Sequence, residues 1–170
     1  MGKTPRQKMI EMGADVLCCG DDFGSQTSLM MDQNTFRRVF KPRIKEMFAE
    51  YRKVNPNIKI AWHTCGAVKP IIPDFIELGL DFLNPIQPLA RDMEPQQLKD
   101  EFGRDLGFFG GICVQDLLPN GTPEEVEAEV IRRAGILGKG GGYIIAPAHN
   151  IQEDTSMENI MALFDTVKEL

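Results

Sequence analysis

Short apolar runs rich in β-branched and aromatic residues alternate with longer amphipathic stretches along this chain. The alternation is typical of βαβ units around a parallel sheet, because each helix carries the chain back to the start of the next parallel strand. Five runs therefore predict five strands, at Ala14–Cys19, Ile58–His63, Leu80–Asn84, Leu106–Gly110 and Tyr143–Pro147.

Chains built from such units form either a closed (β/α)8 barrel or an open sheet with helices on both faces. A closed barrel takes about 250 residues, whereas this chain has 170. The sequence therefore predicts one α/β domain over residues 1–170 that is a partial TIM (β/α)8-type barrel with parallel strands. Three arrangements remain open: assembly with itself or with another chain, a fragment of a longer protein, or an open sheet.

A long helix is predicted after the first strand. Asp32 or Asn34 can cap it, and its apolar positions continue to Tyr51. Pro42 predicts a kink or a break within it, because proline lacks the N–H group that an interior helical residue donates.

Two Thr-x-x-Glu segments predict the starts of two later helices. In a capping box the threonine hydroxyl accepts a hydrogen bond from the N3 backbone, and the N3 carboxylate accepts one from the cap residue. Thr122 with Glu125 fits this pattern, and Thr155 with Glu158 repeats it before the last helix.

Composition and charge exclude several classes of function. The chain has 19 Lys and Arg against 25 Asp and Glu, and the basic residues are scattered, so a nucleic-acid-binding surface is not expected. The N-terminus has no apolar leader segment and no apolar run reaches membrane-spanning length, so we expect a cytoplasmic protein. The four cysteines lie in or after apolar runs, which favours reduced thiols over disulfides.

Each predicted strand is followed by a polar or glycine-rich segment. In parallel α/β folds the loops after the carboxyl ends of the strands converge on one face, and that face carries the functional residues. Both histidines of the chain are expected there. The segments are Gly20–Gln26, His63–Gly66, Asn84–Gln87, Gly110–Gln115 and Pro147–Asn150.

His63 and Cys65 are the most informative pair on this face. Residues i and i+2 of an extended segment point the same way, so an imidazole nitrogen and a thiolate can reach one tetrahedral Zn²⁺, while Gly66 lets the backbone turn away. The alternative is a histidine and a thiol that only pack beneath a loop. On spacing alone both interpretations stay open.

Asp21, Asp22 and His149 are candidate catalytic residues. The two aspartates are adjacent and point to opposite sides of an extended segment, so we expect only one to enter the site, where it could orient a substrate or receive a proton. A turn-forming role is the alternative. His149 could donate a hydrogen bond to an anionic substrate, bind a metal, or pair with loop carbonyl groups.

Taken in order, the motifs resemble those of the uroporphyrinogen decarboxylase superfamily, which includes the methylcobamide:coenzyme M methyltransferases. The matching segments are Gly13–Val16, Gly20–Gly24, His63–Gly66, Leu78–Gln87, Gly110–Ile112, Thr122–Val126 and Gly141–Ile151. The resemblance covers nearly the whole chain. It implies a (β/α)8 barrel with its site at the C-terminal face, of which this chain forms about the last five βα units.

The methyltransferase branch, which we favour, implies a zinc site. There a His-x-Cys pair and a later cysteine bind a zinc that holds a small thiol as the acceptor of a methyl group, and the donor is methylcobamide on a partner corrinoid protein. His63 and Cys65 match the first two ligands. The segment where the resemblance puts the third reads Gly140–Gly142, so Cys113 or His149 is expected to substitute.

The decarboxylase branch, which acts in porphyrin and haem biosynthesis, is the alternative and needs no metal or cofactor. The resemblance implies an aspartate, Asp21 or Asp22, that stabilises a protonated pyrrole, and a histidine, His149, that holds the substrate's carboxylates. Nothing in this lyase chemistry requires Cys65. In either branch the predicted substrate contacts are Gln26, Asn84, Gln87 and Asn150.

A half barrel implies a partner, because it leaves two unpaired strand edges and an exposed flank of its core. We therefore expect a homo-oligomer or a complementing barrel half, with an inactive truncated subunit as the alternative. The arginine-rich N-terminal units of the decarboxylases have no counterpart in this sequence. Whether the chain by itself is an enzyme stays open.

Overall fold

A five-stranded parallel sheet forms the centre of the computed structural model, which describes residues 4–170. The strands follow one another in sequence order across the sheet, as consecutive βα units require. All five predicted strands are confirmed, with bounds shifted by at most two residues. They are β1 (Val16–Gly20), β2 (Lys59–His63), β3 (Phe82–Ile86), β4 (Gly107–Ile112) and β5 (Tyr143–Pro147).

Helices connect these strands and cover one face of the sheet. They are α1 (Pro5–Glu11), α2 (Gln33–Thr35), α3 (Lys41–Val54), α4 (Ile72–Glu77), α5 (Pro95–Phe102), α6 (Leu117–Asn120), α7 (Pro123–Leu137) and α8 (Met157–Glu169). A π-helical turn, Phe36–Phe40, joins α2 to α3, so the predicted interruption near Pro42 is confirmed. Asp32 caps α2 by accepting a hydrogen bond from the Thr35 N–H group.

The two predicted capping boxes have different outcomes. Thr122 and Glu125 form the expected reciprocal pair at the start of α7. The prediction for Thr155 is wrong, because α8 begins one residue later, with Ser156 as its cap and the Asn159 N–H group as the donor. Serine and threonine are adjacent here, and either hydroxyl can serve a helix N-terminus.

The core lies between the sheet and its helices. Alternate residues of the strands, including Leu17, Cys19, Ile60 and Trp62, belong to one buried cluster with helical residues. Phe23, in the loop after β1, packs edge to face on Phe36 and parallel to Trp62. That loop is therefore anchored in the core and positions the residues before and after Phe23.

Both outer edges of the sheet end without a further strand within residues 4–170, since β1 pairs with β2 and β5 with β4. Every residue of β5 is half-buried. Met157, Met161 and Phe164 expose one apolar face of the adjacent helix α8. These open flanks fit the predicted partial barrel.

Within residues 4–170, no helix combines the length and apolar character that crossing a membrane requires.

Candidate functional site

The carboxyl ends of β1, β2 and β3 line up across the sheet. His63 is the last residue of β2, and the strand register places it opposite Gly20 of β1 and Asn84 of β3. A side chain at Gly20 would collide with the His63 carbonyl group, because an added Cβ atom would lie 2.2 Å from that oxygen. Glycine therefore lets β1 approach the strand that carries His63.

His63, Cys65 and His149 form one cluster at this end of the sheet. Their candidate ligand atoms all lie within 4.8 Å of one another. The Cys65 Sγ atom is 3.5 Å from His63 Nε2, and the two imidazole rings are 6.0 Å apart between centroids. The predicted convergence of both histidines and the Cys65 thiol on one face is confirmed.

The cluster fits a zinc ion chemically. Bonds of about 2.1 Å to nitrogen and 2.3 Å to sulfur at a tetrahedral angle separate the two ligand atoms by about 3.6 Å. The 3.5 Å between Cys65 Sγ and His63 Nε2 matches this value. Two imidazoles and one thiolate also leave a fourth position free, as in catalytic zinc sites.

The Cys65 thiol is not an activated nucleophile in the metal-free chain. Burial raises its pKa to about 11, and the nearby Asp22 carboxylate adds to the shift. Reactive cysteines have the opposite environment, with cationic neighbours that lower the pKa. A bound divalent metal displaces the thiol proton, so this cysteine suits a metal ligand better than a free nucleophile.

Asp22 is the one of the two adjacent aspartates that contacts the cluster, and its catalytic role stays a prediction. One oxygen of Asp22 accepts a hydrogen bond from the Cys65 N–H group at 2.8 Å and lies 3.8 Å from His63 Nε2. Its side chain remains 53% exposed, so a substrate can reach it. Asp21 is exposed, and its N–H group continues the pairing of β1 with β2.

The loop with Cys65 is interlocked with the loop after β1. The Phe23 N–H group donates to the buried Thr64 hydroxyl at 2.9 Å. A Cβ atom at Gly24 would lie 2.6 Å from the Cys65 carbonyl oxygen. Gly66 has φ +84°, where a Cβ atom would lie 2.4 Å from the Ser25 carbonyl oxygen. Glycine at both positions thus allows the two loops to touch and fixes Cys65.

Gln87, directly after β3, supports this loop, and Gln26, in the loop after β1, contacts Gln87. Gln87 is buried, and its Oε1 atom accepts from the Gly66 N–H group at 2.7 Å and from Gln26 Nε2 at 3.5 Å. The Gln87 amide therefore holds the turn that presents Cys65. The predicted role of both glutamines in substrate contact stays a prediction.

An open pocket of about 520 Å³ lies beside the cluster. It lies at the carboxyl ends of β2 to β5, and it includes two of the predicted substrate contacts, Asn84 and Asn150. The lining residues are His63, Asn84, Pro85, Phe109, Ala146, Pro147, Ala148, His149, Asn150 and Ile151. A small molecule in this pocket would lie against both histidines.

The two expected substitutes for the third ligand occupy different places. His149, two residues after β5, is exposed and belongs to the cluster. Cys113, directly after β4, is buried and is not part of it. Gly140–Gly142 precede β5 and so lie at the opposite end of the sheet from His63. His149 is therefore the third ligand that the geometry supports.

Two supporting contacts were not predicted from the sequence. The Thr64 hydroxyl receives the Phe23 N–H group, and the Asn84 side chain contacts the His63 ring at 2.7 Å. Thr64 lies between His63 and Cys65 and therefore points to the opposite side, into the core. The alternation of side chains along an extended segment could therefore have predicted that Thr64 is buried. The contact between Asn84 and His63 depends on the register of two strands, which spacing does not reveal.

Proteins of known function include relatives of this chain. The chain is 28% identical over 158 residues to a methylated-thiol–coenzyme M methyltransferase of Methanosarcina mazei, which covers 92% of this chain and 38% of that protein. It is 26% identical over 163 residues to a uroporphyrinogen decarboxylase of Thermosynechococcus vestitus, covering 95% of this chain and 43% of that one. The chain thus spans about two fifths of the length of these relatives.

Solved structures support the fold. A methyltransferase from Methanosarcina mazei superposes with a TM-score of 0.74 at 26% identity, covering 96% of this chain and 44% of that chain. A dihydropteroate synthase from Anaplasma phagocytophilum superposes with a TM-score of 0.56 at 18% identity and shares the fold alone. The family model described as uroporphyrinogen decarboxylase (URO-D) matches residues 6–170. This match spans nearly the whole chain, which therefore belongs to the uroporphyrinogen decarboxylase family.

Proposed function

We propose that this chain carries the zinc-binding half of a corrinoid-dependent methyltransferase. His63, Cys65 and His149 hold a zinc ion, the acceptor is a small thiol, and the methyl donor is a methylated corrinoid on a partner protein. The observation that carries the proposal is the convergence of one thiol and two imidazoles within 4.8 Å at the end of the sheet. The similarity to a methyltransferase of known structure supports it.

The metal, when bound, lowers the pKa of a thiol that it coordinates and leaves that thiol a strong nucleophile. In the transfer, the acceptor sulfur loses its proton and forms a bond to the methyl carbon. The bond between that carbon and the donor breaks, and its electron pair stays with the donor. The pocket beside His149 positions the acceptor, and the Asp22 carboxylate receives the proton that the acceptor sulfur loses.

Porphyrinogen decarboxylation is the less supported alternative. It accounts for an aspartate and a histidine on the same face, and a decarboxylase is among the relatives. It does not account for a half-buried thiol 3.5 Å from an imidazole nitrogen. The His63–Cys65 contact therefore favours the methyltransferase proposal.

Metal analysis of the purified protein tests the proposal. We expect about one zinc per chain in the wild type and less than about one tenth of that in Cys65→Ser, because serine does not replace a thiolate ligand. Cys18→Ser is the matched control, since Cys18 is an exposed thiol away from the cluster and its replacement should leave the zinc content unchanged. Absence of zinc from the wild type, or equal zinc in all three proteins, would contradict the proposal.

We also propose that a second copy or complementary strands cover the open flanks of the sheet. The unpaired edges of β1 and β5 and the apolar face of α8 support this, because exposed strand edges favour pairing. Light scattering after size-exclusion chromatography should show a dimer or a larger species. A monomer across a range of protein concentrations would argue against a second copy. Strands from another chain would then be the proposed cover of the sheet edges.

A further inference from the structure

We infer that Asn84 is a positioning residue of the metal site and not a substrate contact. Its side chain fixes the tautomer of His63 with the proton on Nδ1, which leaves the lone pair of Nε2 directed at the cluster. The role of Asn84 in metal binding rests on the proposed zinc function. The assigned tautomer of His63 does not, because it applies to the metal-free chain as well.

The orientation of the Asn84 amide follows from its two neighbours. Asn84 Nδ2 donates to the Phe109 carbonyl oxygen at 3.4 Å, and Oδ1 lies 2.7 Å from His63 Nδ1. A flipped amide would bring its oxygen against the Phe109 carbonyl oxygen, and two acceptors repel each other. The Phe109 carbonyl group in β4 therefore orients the Asn84 amide so that its oxygen faces His63.

The tautomer of His63 follows from this orientation. An amide oxygen only accepts, so the contact of 2.7 Å is a hydrogen bond if His63 Nδ1 carries the proton. His63 Nε2 is then the unprotonated nitrogen of the neutral ring. The Asp22 oxygen, at 3.8 Å, is too far to hold a proton on Nε2 by a hydrogen bond.

The Cys65 thiol is a hydrogen-bond donor to the other side of the His63 ring. Its Sγ atom lies 3.5 Å from His63 Nε2, and an S–H group can donate to that unprotonated nitrogen. The result is an ordered chain in which Cys65 donates to His63, His63 to Asn84, and Asn84 to Phe109. Replacing the Cys65 proton by a metal ion leaves the remainder of this chain unchanged.

The backbone holds Asn84 where this role requires it. Asn84 lies opposite His63 in the register of β3 with β2, and its carbonyl oxygen accepts from the Thr64 N–H group at 2.6 Å. The Asn84 backbone thus binds the residue that follows His63, while its side chain contacts the His63 ring. Partners of metal-bound histidines contribute about 10–100-fold to metal affinity, because they set ring orientation and tautomer in advance.

The test compares Asn84→Leu with Asn150→Leu. Leucine at position 84 keeps the size of the side chain but removes both hydrogen bonds, whereas Asn150 lines the same pocket without a side-chain contact to His63. Long-range ¹H–¹⁵N NMR spectra of the metal-free proteins report which ring nitrogen of His63 carries the proton. Competition with a zinc chelator measures affinity for zinc alone.

We expect the wild type and Asn150→Leu to hold the His63 proton on Nδ1 and to bind zinc equally. Asn84→Leu should show a mixture of tautomers and bind zinc about 10–100-fold more weakly. Asn84→Asp keeps an acceptor oxygen for His63 Nδ1 but loses the donor to the Phe109 carbonyl group, so it should still hold the proton on Nδ1. A proton on Nε2 in the wild type overturns the inference without any variant. Unchanged tautomer and affinity in Asn84→Leu also overturn it. A wild type with the proton on Nδ1 that binds no zinc overturns the proposed function and leaves the hydrogen-bond assignment standing.

Discussion

Replacing His149 by alanine is expected to weaken zinc binding by more than about 100-fold, because loss of an outer partner alone weakens such sites by about 10–100-fold and His149 is a direct ligand in the proposal. His149 is exposed, so its removal should leave the fold intact and the effect should belong to the site. The measurement is chelator competition, with thermal unfolding of the metal-free proteins as the check on folding.

Two further variants make this prediction specific. His149→Cys should keep tight binding, because it supplies the later thiolate that the resemblance to the methyltransferases implies. Cys113→Ser should bind zinc like the wild type, since Cys113 lies outside the cluster. Wild-type affinity in His149→Ala, or a loss of zinc in Cys113→Ser, would assign the third ligand elsewhere.

Replacing Gly66 by alanine should lower the free energy of unfolding by about 3 kcal/mol or more. The left-handed backbone at φ +84° costs a non-glycine residue about 1–2 kcal/mol. In addition, the new Cβ atom would lie 2.4 Å from the Ser25 carbonyl oxygen, so the two interlocked loops must separate. Urea unfolding monitored by circular dichroism measures the change.

Gly140→Ala is the matched control for this prediction. Gly140 has φ +75°, but an added Cβ atom there meets nothing within 4 Å. Its replacement should therefore lower stability by only about 1–2 kcal/mol, from the backbone conformation alone. The difference between the two variants isolates the contact between the loops. Similar losses in both would mean that the loops can move apart easily and do not fix Cys65.

The strands and the His63–Cys65 pair could be predicted from the sequence because both depend on local periodicity. Alternation along a strand and the polar segment after it are visible in a single stretch of residues. The start of α8 was missed by one residue, because Thr155 and Ser156 have equivalent hydroxyl groups and only the backbone geometry selects between them.

The third member of the cluster could not be chosen from the sequence. Cys113 follows β4 and His149 follows β5, and both segments end on the same face. Which side chain reaches His63 depends on the curvature of the sheet and on the path of each loop after its strand. The same limit applies to the contact of Gln87 with the Gly66 N–H group, which depends on how the two loops meet and not on local periodicity.

The cluster brings together two strand ends that the sheet itself keeps apart. His63 ends β2 and His149 follows β5, with β3 and β4 between them. A metal bound by both histidines therefore acts as a cross-link over the inner side of the sheet, and part of its binding energy resists flattening of that sheet. Since a ligand at 100 times its Kd stabilises a folded chain by about 2.7 kcal/mol, zinc would help this open-edged sheet keep the curvature of a barrel.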